Sequence, residues 1–284
     1  MKRILSILSL VAAFALSACA SNTHTLPPGQ FAQSATVTFA VRVPSSSATA
    51  ANRIRPQYVS PNTQSVAFTL VSFDGTPSNT TTVVALTGGN CTGSGTSKVC
   101  TISSTAPVGA DVYSVATYTA TNGTGTPLSI DPALNVNIVS GTNTVSVTLN
   151  GVVASLAFSP ASANALDGTA SAGSASINAL DAYGDTIIGP GLYALANGSA
   201  DPIAVTCQTG LSLQNSGGGA ATLPETGPGA AGNVAIIQYS GTSVGGTSGG
   251  TLTCTATDST TPTPLTSTFT LNLSSTGSVT WTIN

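Results

Sequence analysis

Apolar and polar residues alternate with a period of two over most of this chain, and the alternation predicts strand after strand. In Ala35-Thr36-Val37-Thr38-Phe39-Ala40-Val41-Arg42-Val43 the odd positions are apolar, with Thr36, Thr38 and Arg42 between them. A strand with one buried and one wet face reads this way. Val66-Ala67-Phe68-Thr69-Leu70 keeps its apolar residues on even positions, and Val71 and Phe73 switch to odd, so a bulge is expected near Leu70. Asp74-Gly75-Thr76-Pro77 reads as the turn that ends this strand. Further strands are expected at Val83–Leu86, around Tyr113, Val115 and Tyr118, at Leu134–Ile138 and at Val145–Leu149. The last two are expected to form a hairpin through Ser140-Gly141-Thr142-Asn143. After Asn150-Gly151 the pattern restarts at Val153–Phe158. It continues through Ile177–Tyr183, Ile203–Cys207, Val234–Tyr239, Leu252–Ala256, Phe269–Leu273 and Val279–Ile283. Short strands at intervals of roughly 8–12 residues, separated by Gly and Pro turns, predict an all-β chain of antiparallel sandwiches. Asn150-Gly151 divides it into one sandwich over residues 35–150 and a second over 151–284.

The N-terminal segment breaks this pattern. Met1-Lys2-Arg3 is followed by an apolar run from Ile4 to Leu16 and then by small residues, the layout of a secretory signal peptide over residues 1–18. The run is too short for a membrane-spanning helix. Its end, Leu16-Ser17-Ala18-Cys19, resembles the lipobox of bacterial lipoproteins at all four positions. The resemblance implies cleavage before Cys19, a diacylglyceryl thioether on its sulfur, acylation of the new amino group, and a membrane as partner. It also implies export to the cell envelope, and Ala20 in place of an Asp implies sorting to the outer membrane or cell surface where two membranes exist. Residues 19–34 then form the lipidated Cys and its tether. Ala20–Ser34 has no periodicity and contains Pro27-Pro28-Gly29. At about 3.1 Å per residue in extended form, it reaches up to about 45 Å from the lipid.

Charge changes the picture next. The chain is 41% hydrophobic and only 5% charged, against roughly 25% in ordinary globular proteins. Its formal charge of −3 becomes −5 when Lys2 and Arg3 leave with the signal. Arg42, Arg53, Arg55 and Lys98 are then the only basic side chains, too few to neutralise a run of phosphates, so no nucleic acid is expected as a partner. With nine carboxylates facing these four cations, few ion pairs can form, and stability is expected to depend weakly on pH between about 3 and 8.

With Cys19 set aside, Cys91, Cys100, Cys207 and Cys254 are an even set in an exported chain and read as two disulfides. Sequence order and the division at Asn150-Gly151 favour 91–100 and 207–254. The first closes a tight, Gly-containing loop. In the second, Cys207 shares a face with Ile203 and Val205, and Cys254 with Leu252 and Ala256, so a bridge through a sandwich core is expected. Zinc is disfavoured by the spacing and by the single histidine, His24.

Catalytic chemistry finds little to work with. A Ser-His-Asp or Cys-His arrangement needs an imidazole beside its nucleophile, and His24 lies in the tether. Glycosidase chemistry needs two flanking carboxyl groups, whereas the carboxylates here mostly sit beside Gly, Pro or Ser in expected turns. Asp181 and Asp185 read as a β-turn with Gly184 at positive φ rather than as a calcium site. No cofactor or metal is expected. Arg53-Ile54-Arg55-Pro56-Gln57-Tyr58 is the one basic and aromatic cluster, and Arg53, Arg55 and Tyr58 are the candidate contacts for an anionic glycan or headgroup, beside the plainer reading of a solvated loop.

Pro107-Val-Gly-Ala-Asp-Val-Tyr113-Ser-Val and Leu180-Asp-Ala-Tyr-Gly-Asp-Thr-Ile187 resemble the strand approach and hairpin turn of bacterial immunoglobulin-like domains of surface proteins. The resemblance implies two immunoglobulin-like sandwiches. The second departs from antibody-type domains, with Leu252 two residues before Cys254 where a tyrosine corner has Tyr. The function expected is a non-catalytic binding, adhesion or spacer module of the envelope, contacting a glycan or another surface protein. A purely structural envelope component is the second reading and a carbohydrate-active enzyme the third.

Overall fold

Strands follow the alternation throughout the described residues of the computed structural model, which are 33–44, 58–93, 97–188, 191–214, 234–243, 249–260 and 263–276. The expected signal segment, Cys19, nearly all of the tether and the expected strand at Val279–Ile283 lie outside them. The first half holds β1 (Ser34–Pro44), β2 (Ser65–Phe73), β3 (Thr76–Ala85), β4 (Cys91–Thr92), β5 (Ser97–Pro107), β6 (Gly109–Tyr118), β7 (Ser129–Ile138) and β8 (Thr142–Val145). Then come β9 (Asn150–Val152), β10 (Ser155–Ser159), β11 (Ser162–Leu166), β12 (Ser171–Leu180), β13 (Tyr193–Ala194) and β14 (Ala204–Cys207). The last are β15 (Leu211–Gln214), β16 (Val234–Tyr239), β17 (Thr251–Thr257) and β18 (Thr266–Ser274). Among the described residues there is no helix.

The protein is an all-β chain of two sandwiches. In the first, a sheet of order β4-β5-β1-β8 packs on a sheet of order β3-β2-β6-β7-β9-β13. Val37, Phe39 and Val41 of β1 meet Val66 and Phe68 of β2, and the Phe39 and Phe68 rings stack with centroids 4.3 Å apart. In the second, a sheet of order β10-β12-β16-β15 packs on one of order β11-β18-β17-β14, around Phe158, Ile177, Ile237, Phe269 and Leu271. Each such side chain, fully withdrawn from water, contributes about 1.5–3 kcal/mol. The register of β2 shifts between Leu70 and Ser72, where the phase change lies in the sequence. Asp74 and Gly75 both have positive φ, 43° and 77°, as a two-residue hairpin turn requires. Pro77 follows in β3, an edge strand, where a missing amide is tolerated.

Three features differ from the sequence reading. Most pairings are antiparallel, but β1–β8, β11–β18 and β9–β13 are parallel. The segments Leu134–Ile138 and Thr142–Leu149 do not form a hairpin. β7 belongs to one sheet, whereas β8 crosses to the other and pairs with β1. Asn143 closes the crossover, its Oδ1 accepting from the Val139 amide at 3.0 Å and its Nδ2 donating to the Val139 carbonyl at 2.8 Å. Finally, Cys207 and Cys254 are bonded, but they face each other in register on adjacent strands of one sheet, β14 and β17, with Cα atoms 4.0 Å apart. Both cysteines keep the inward phase the sequence assigned them, yet the bridge does not cross the core. Cys91 and Cys100 are likewise a cross-strand pair, between β4 and β5, with Cα atoms 3.9 Å apart.

Asn150-Gly151 lies within β9, which pairs with β7 of the first half on one side and with β13 of the second on the other. Residues 34–284 accordingly form one compact unit, whose described residues hold two large cores and a small third cluster of Ala116, Ile130, Val152 and Ala194.

Candidate functional site

Polar side chains gather at the junction between the sandwiches and around a slot in the side of the first. At the junction, the segment entering β2 lies against the turn after β12. Tyr58 is 3% exposed and its ring belongs to the second core, although it precedes the second half by most of the first. Its hydroxyl donates to Asp181 Oδ2 at 2.8 Å. Asp181 Oδ1 accepts the amides of Tyr183 at 2.8 Å and Asp185 at 3.1 Å, and Gly184 sits at a φ of 81°, so the turn is held from within. Asp185 Oδ2 in turn accepts Asn62 Nδ2 at 2.8 Å and Ser60 Oγ at 3.2 Å. Burial drives the Tyr58 phenol well above its ordinary pKa, and the neighbouring Asp181 charge adds to the rise. Gly151 lets the chains approach: a Cβ there would overlap Ile187 Cγ2 and lie 3.0 Å from Tyr58 Cδ1. Asn150 Oδ1 completes the seam by accepting the Leu192 amide at 2.9 Å.

This geometry corrects the role assigned to Tyr58. An aromatic ring enclosed in a core offers no face for a sugar or headgroup, so Tyr58 is a structural anchor rather than a ligand contact. Arg53 and Arg55 lie outside the described residues. The Asp181–Asp185 turn has the local amide bonds expected of it, and among the described residues no group of three or more His, Cys, Asp or Glu is placed to hold a metal ion.

The slot opens between β3 and β5, where the two sheets of the first sandwich part. Its volume is about 180 Å³. Val37, Phe39, Phe68 and Tyr113 line its interior, with Thr80, Thr82, Ser104 and Thr105 toward solvent. The Tyr113 ring meets Phe39 edge-on at 6.0 Å. Its hydroxyl is committed, donating to Asp111 Oδ2 at 3.0 Å. Asp111 is 1% exposed and its Oδ1 has no partner. Burial raises the Asp111 pKa, the Tyr113 bond opposes this, and the Asp74 charge adds to the rise. Burial likewise raises Tyr113, with the Asp111 charge next. Behind the slot, the Tyr113–Asp111 pair is buried and hydrogen-bonded.

A comparable aspartate lies in the second half. Asp201, 1% exposed, accepts the Ser259 amide at 2.9 Å and hydroxyl at 2.8 Å on Oδ1, while Oδ2 has no partner. Burial raises its pKa, the Ser259 bonds oppose this, and the Asp258 charge adds to the rise. Sequence reasoning placed most of the carboxylates in turns and singled out neither of these. The phase of β6 carried a usable signal, since Asp111 stands on the same face as Tyr113 and Val115.

No protein-family model matches the chain, and no curated protein matches it. Among solved structures it is similar to an endo-fucoidan hydrolase of glycoside hydrolase family 107, at 16% identity over 63% of this chain and 21% of that one, with a TM-score of 0.23. The β-glucuronidase of Parabacteroides merdae is similar at 12% identity over 74% of this chain and 21% of that one, with a TM-score of 0.23. The full-length major pilin SpaD of Corynebacterium diphtheriae is similar at 12% identity over 84% of this chain and 65% of that one, with a TM-score of 0.25. The chain thus spans about a fifth of the length of either hydrolase.

Proposed function

We propose that this chain is a lipid-anchored surface protein of the bacterial envelope, whose two immunoglobulin-like sandwiches act as one stiff, non-catalytic binding and spacer module. Leu16-Ser17-Ala18-Cys19 supplies the anchor and residues 19–34 the tether. The observation that carries the reading is the junction. A flexible pair of domains needs only a linker, whereas here a shared sheet, a borrowed aromatic ring and the Tyr58–Asp181 and Asn62–Asp185 bonds fix one half on the other. That arrangement suits a rigid arm that presents a surface away from the membrane. Replacing Cys19 with Ser is expected to abolish incorporation of labelled fatty acid and to move the protein out of the membrane fraction. Unchanged labelling and fractionation would overturn the anchor. A glycan array combined with pull-down from envelope extracts separates binding from spacing, a saturable partner favouring the first.

A further inference from the structure

We propose that the outer face of the β11-β18-β17-β14 sheet is an ice-binding surface; this rests on the reading above of a module held out from the cell, and names what the module holds. Every outward position of β17, from Thr251 to Thr257, is threonine, while Leu252, Cys254 and Ala256 point inward. On β18 the outward positions are Thr266, Thr268, Thr270, Asn272 and Ser274, while Phe269, Leu271 and Leu273 point inward. Register aligns the two strands into rungs: Thr257 faces Thr266, Thr255 faces Thr268, and Thr253 faces Thr270. The rungs extend sideways, with Ser162 of β11 beside Thr270 and Thr206 of β14 beside Thr255. The result is a two-dimensional grid of hydroxyls and methyls, repeating at about 4.8 Å across the strands and about 6.7 Å along them.

Threonine suits any wet strand face, so its presence alone decides nothing. The grid goes further in three respects. First, β17 and β18 carry no ionisable side chain. An ordinary solvated face gains its hydration from charge, and a neutral one matches a neutral partner. Second, the positions are periodic in two directions, as a crystal face is and a soluble molecule is not. The branched Cβ of threonine restricts χ1, so the hydroxyls keep their places at little entropic cost. The Cys207–Cys254 bridge ties β14 to β17 behind the grid. Third, no aromatic ring projects outward from β17 or β18, which removes the stacking platform on which sugar rings pack. Each hydroxyl offers one donor and two acceptor sites to water, and the methyl groups between them confine that water to rows. Water ordered in this way joins an ice lattice without being displaced. The first sandwich carries a shorter version, which ends at Ala40 and the outward Arg42. On the outer face of β4-β5-β1-β8, Thr36 lies between Thr105 and Thr142, and Thr38 lies between Ser103 and Thr144.

The test is incorporation into slowly grown ice, using the full chain carrying Cys19→Ser so that lipid plays no part and the anchor is judged separately. The unsubstituted face is expected to enter the ice, and Thr255→Lys with Thr268→Lys, while still folded, to be excluded from it. Should that double variant fail to fold by circular dichroism, Thr268→Ser, which removes one methyl group, is expected to lower incorporation severalfold. Exclusion of the unsubstituted face from ice overturns the proposal, as does equal incorporation of a folded variant. Exclusion from ice together with retention on insoluble chitin or cellulose would transfer the face to crystalline polysaccharide and overturn it equally.

Discussion

Asp111 and Asp201 each keep one carboxylate oxygen buried without a partner, and burial raises both pKa values. For a carboxyl raised on folding, the folded state binds more protons between the unfolded and folded values. Its contribution is therefore most favourable below the unfolded value, about 3.9, and declines as pH rises through the folded one. Counting charges led to an expectation of weak pH dependence, because it treats every aspartate as solvated. Burial gives the dependence a sign instead. The melting temperature is expected to rise as pH falls from about 7 toward about 4, and Asp111→Asn with Asp201→Asn should flatten the curve. A melting temperature that drops over this range would show that other carboxylates dominate. At the junction, Tyr58→Phe keeps the ring but removes the donor to Asp181 Oδ2. The loss is expected to be about 1–3 kcal/mol in denaturant unfolding, the penalty of a buried oxygen left unbonded.

Element by element, the sequence is informative about faces and silent about neighbours. Alternation put Cys254 on an inward face, and it is inward, but period two does not distinguish a partner across the core from one on the next strand. The same limit explains Leu134–Ile138 and Val145–Leu149. Both alternate cleanly, yet two adjoining strands satisfy that pattern equally in a hairpin or in opposite sheets, and the Asn143 bonds to Val139 select the second. The bulge near Leu70 and the Asp74-Gly75 turn were legible because their signals are local. Tyr58 was not, since its partner Asp181 lies 123 residues away and no nearby residue encodes it. For the bridges, replacing Cys254 with Ala removes a link of sequence separation 47 and partly empties a fully buried position. The expected cost is about 2–5 kcal/mol in equilibrium unfolding. Free thiols at Cys207 and Cys254 in protein from its native envelope would remove the argument.

For the molecule as a whole, β9 and β13 extend the six-stranded sheet of the first sandwich, and Tyr193 of β13 packs into the second core beside Tyr58. Scanning calorimetry of the unlipidated chain should give a single transition, with calorimetric and van't Hoff enthalpies in agreement. Tyr58→Phe combined with Asn62→Ala, which removes the Tyr58 bond to Asp181 and the Asn62 bond to Asp185, is expected to divide it into two. Two transitions in the unsubstituted chain would mean that the junction does not couple the cores.

The parallel pairing of β1 with β8 and of β11 with β18 also sets how the chain answers to tension. In each pair one strand lies near the start of its sandwich, β11 following β10, and the other lies near its end, side by side and pointing the same way. A pull applied through the tether at one end and through whatever is gripped at the other drags the two strands past one another lengthwise. Their hydrogen bonds are then strained together rather than opened one after another, as they would be in a zipper. Should the second sandwich give way, the Cys207–Cys254 bridge still withholds the chain between its ends, of sequence separation 47. That removes roughly 160 Å from the length the chain can yield.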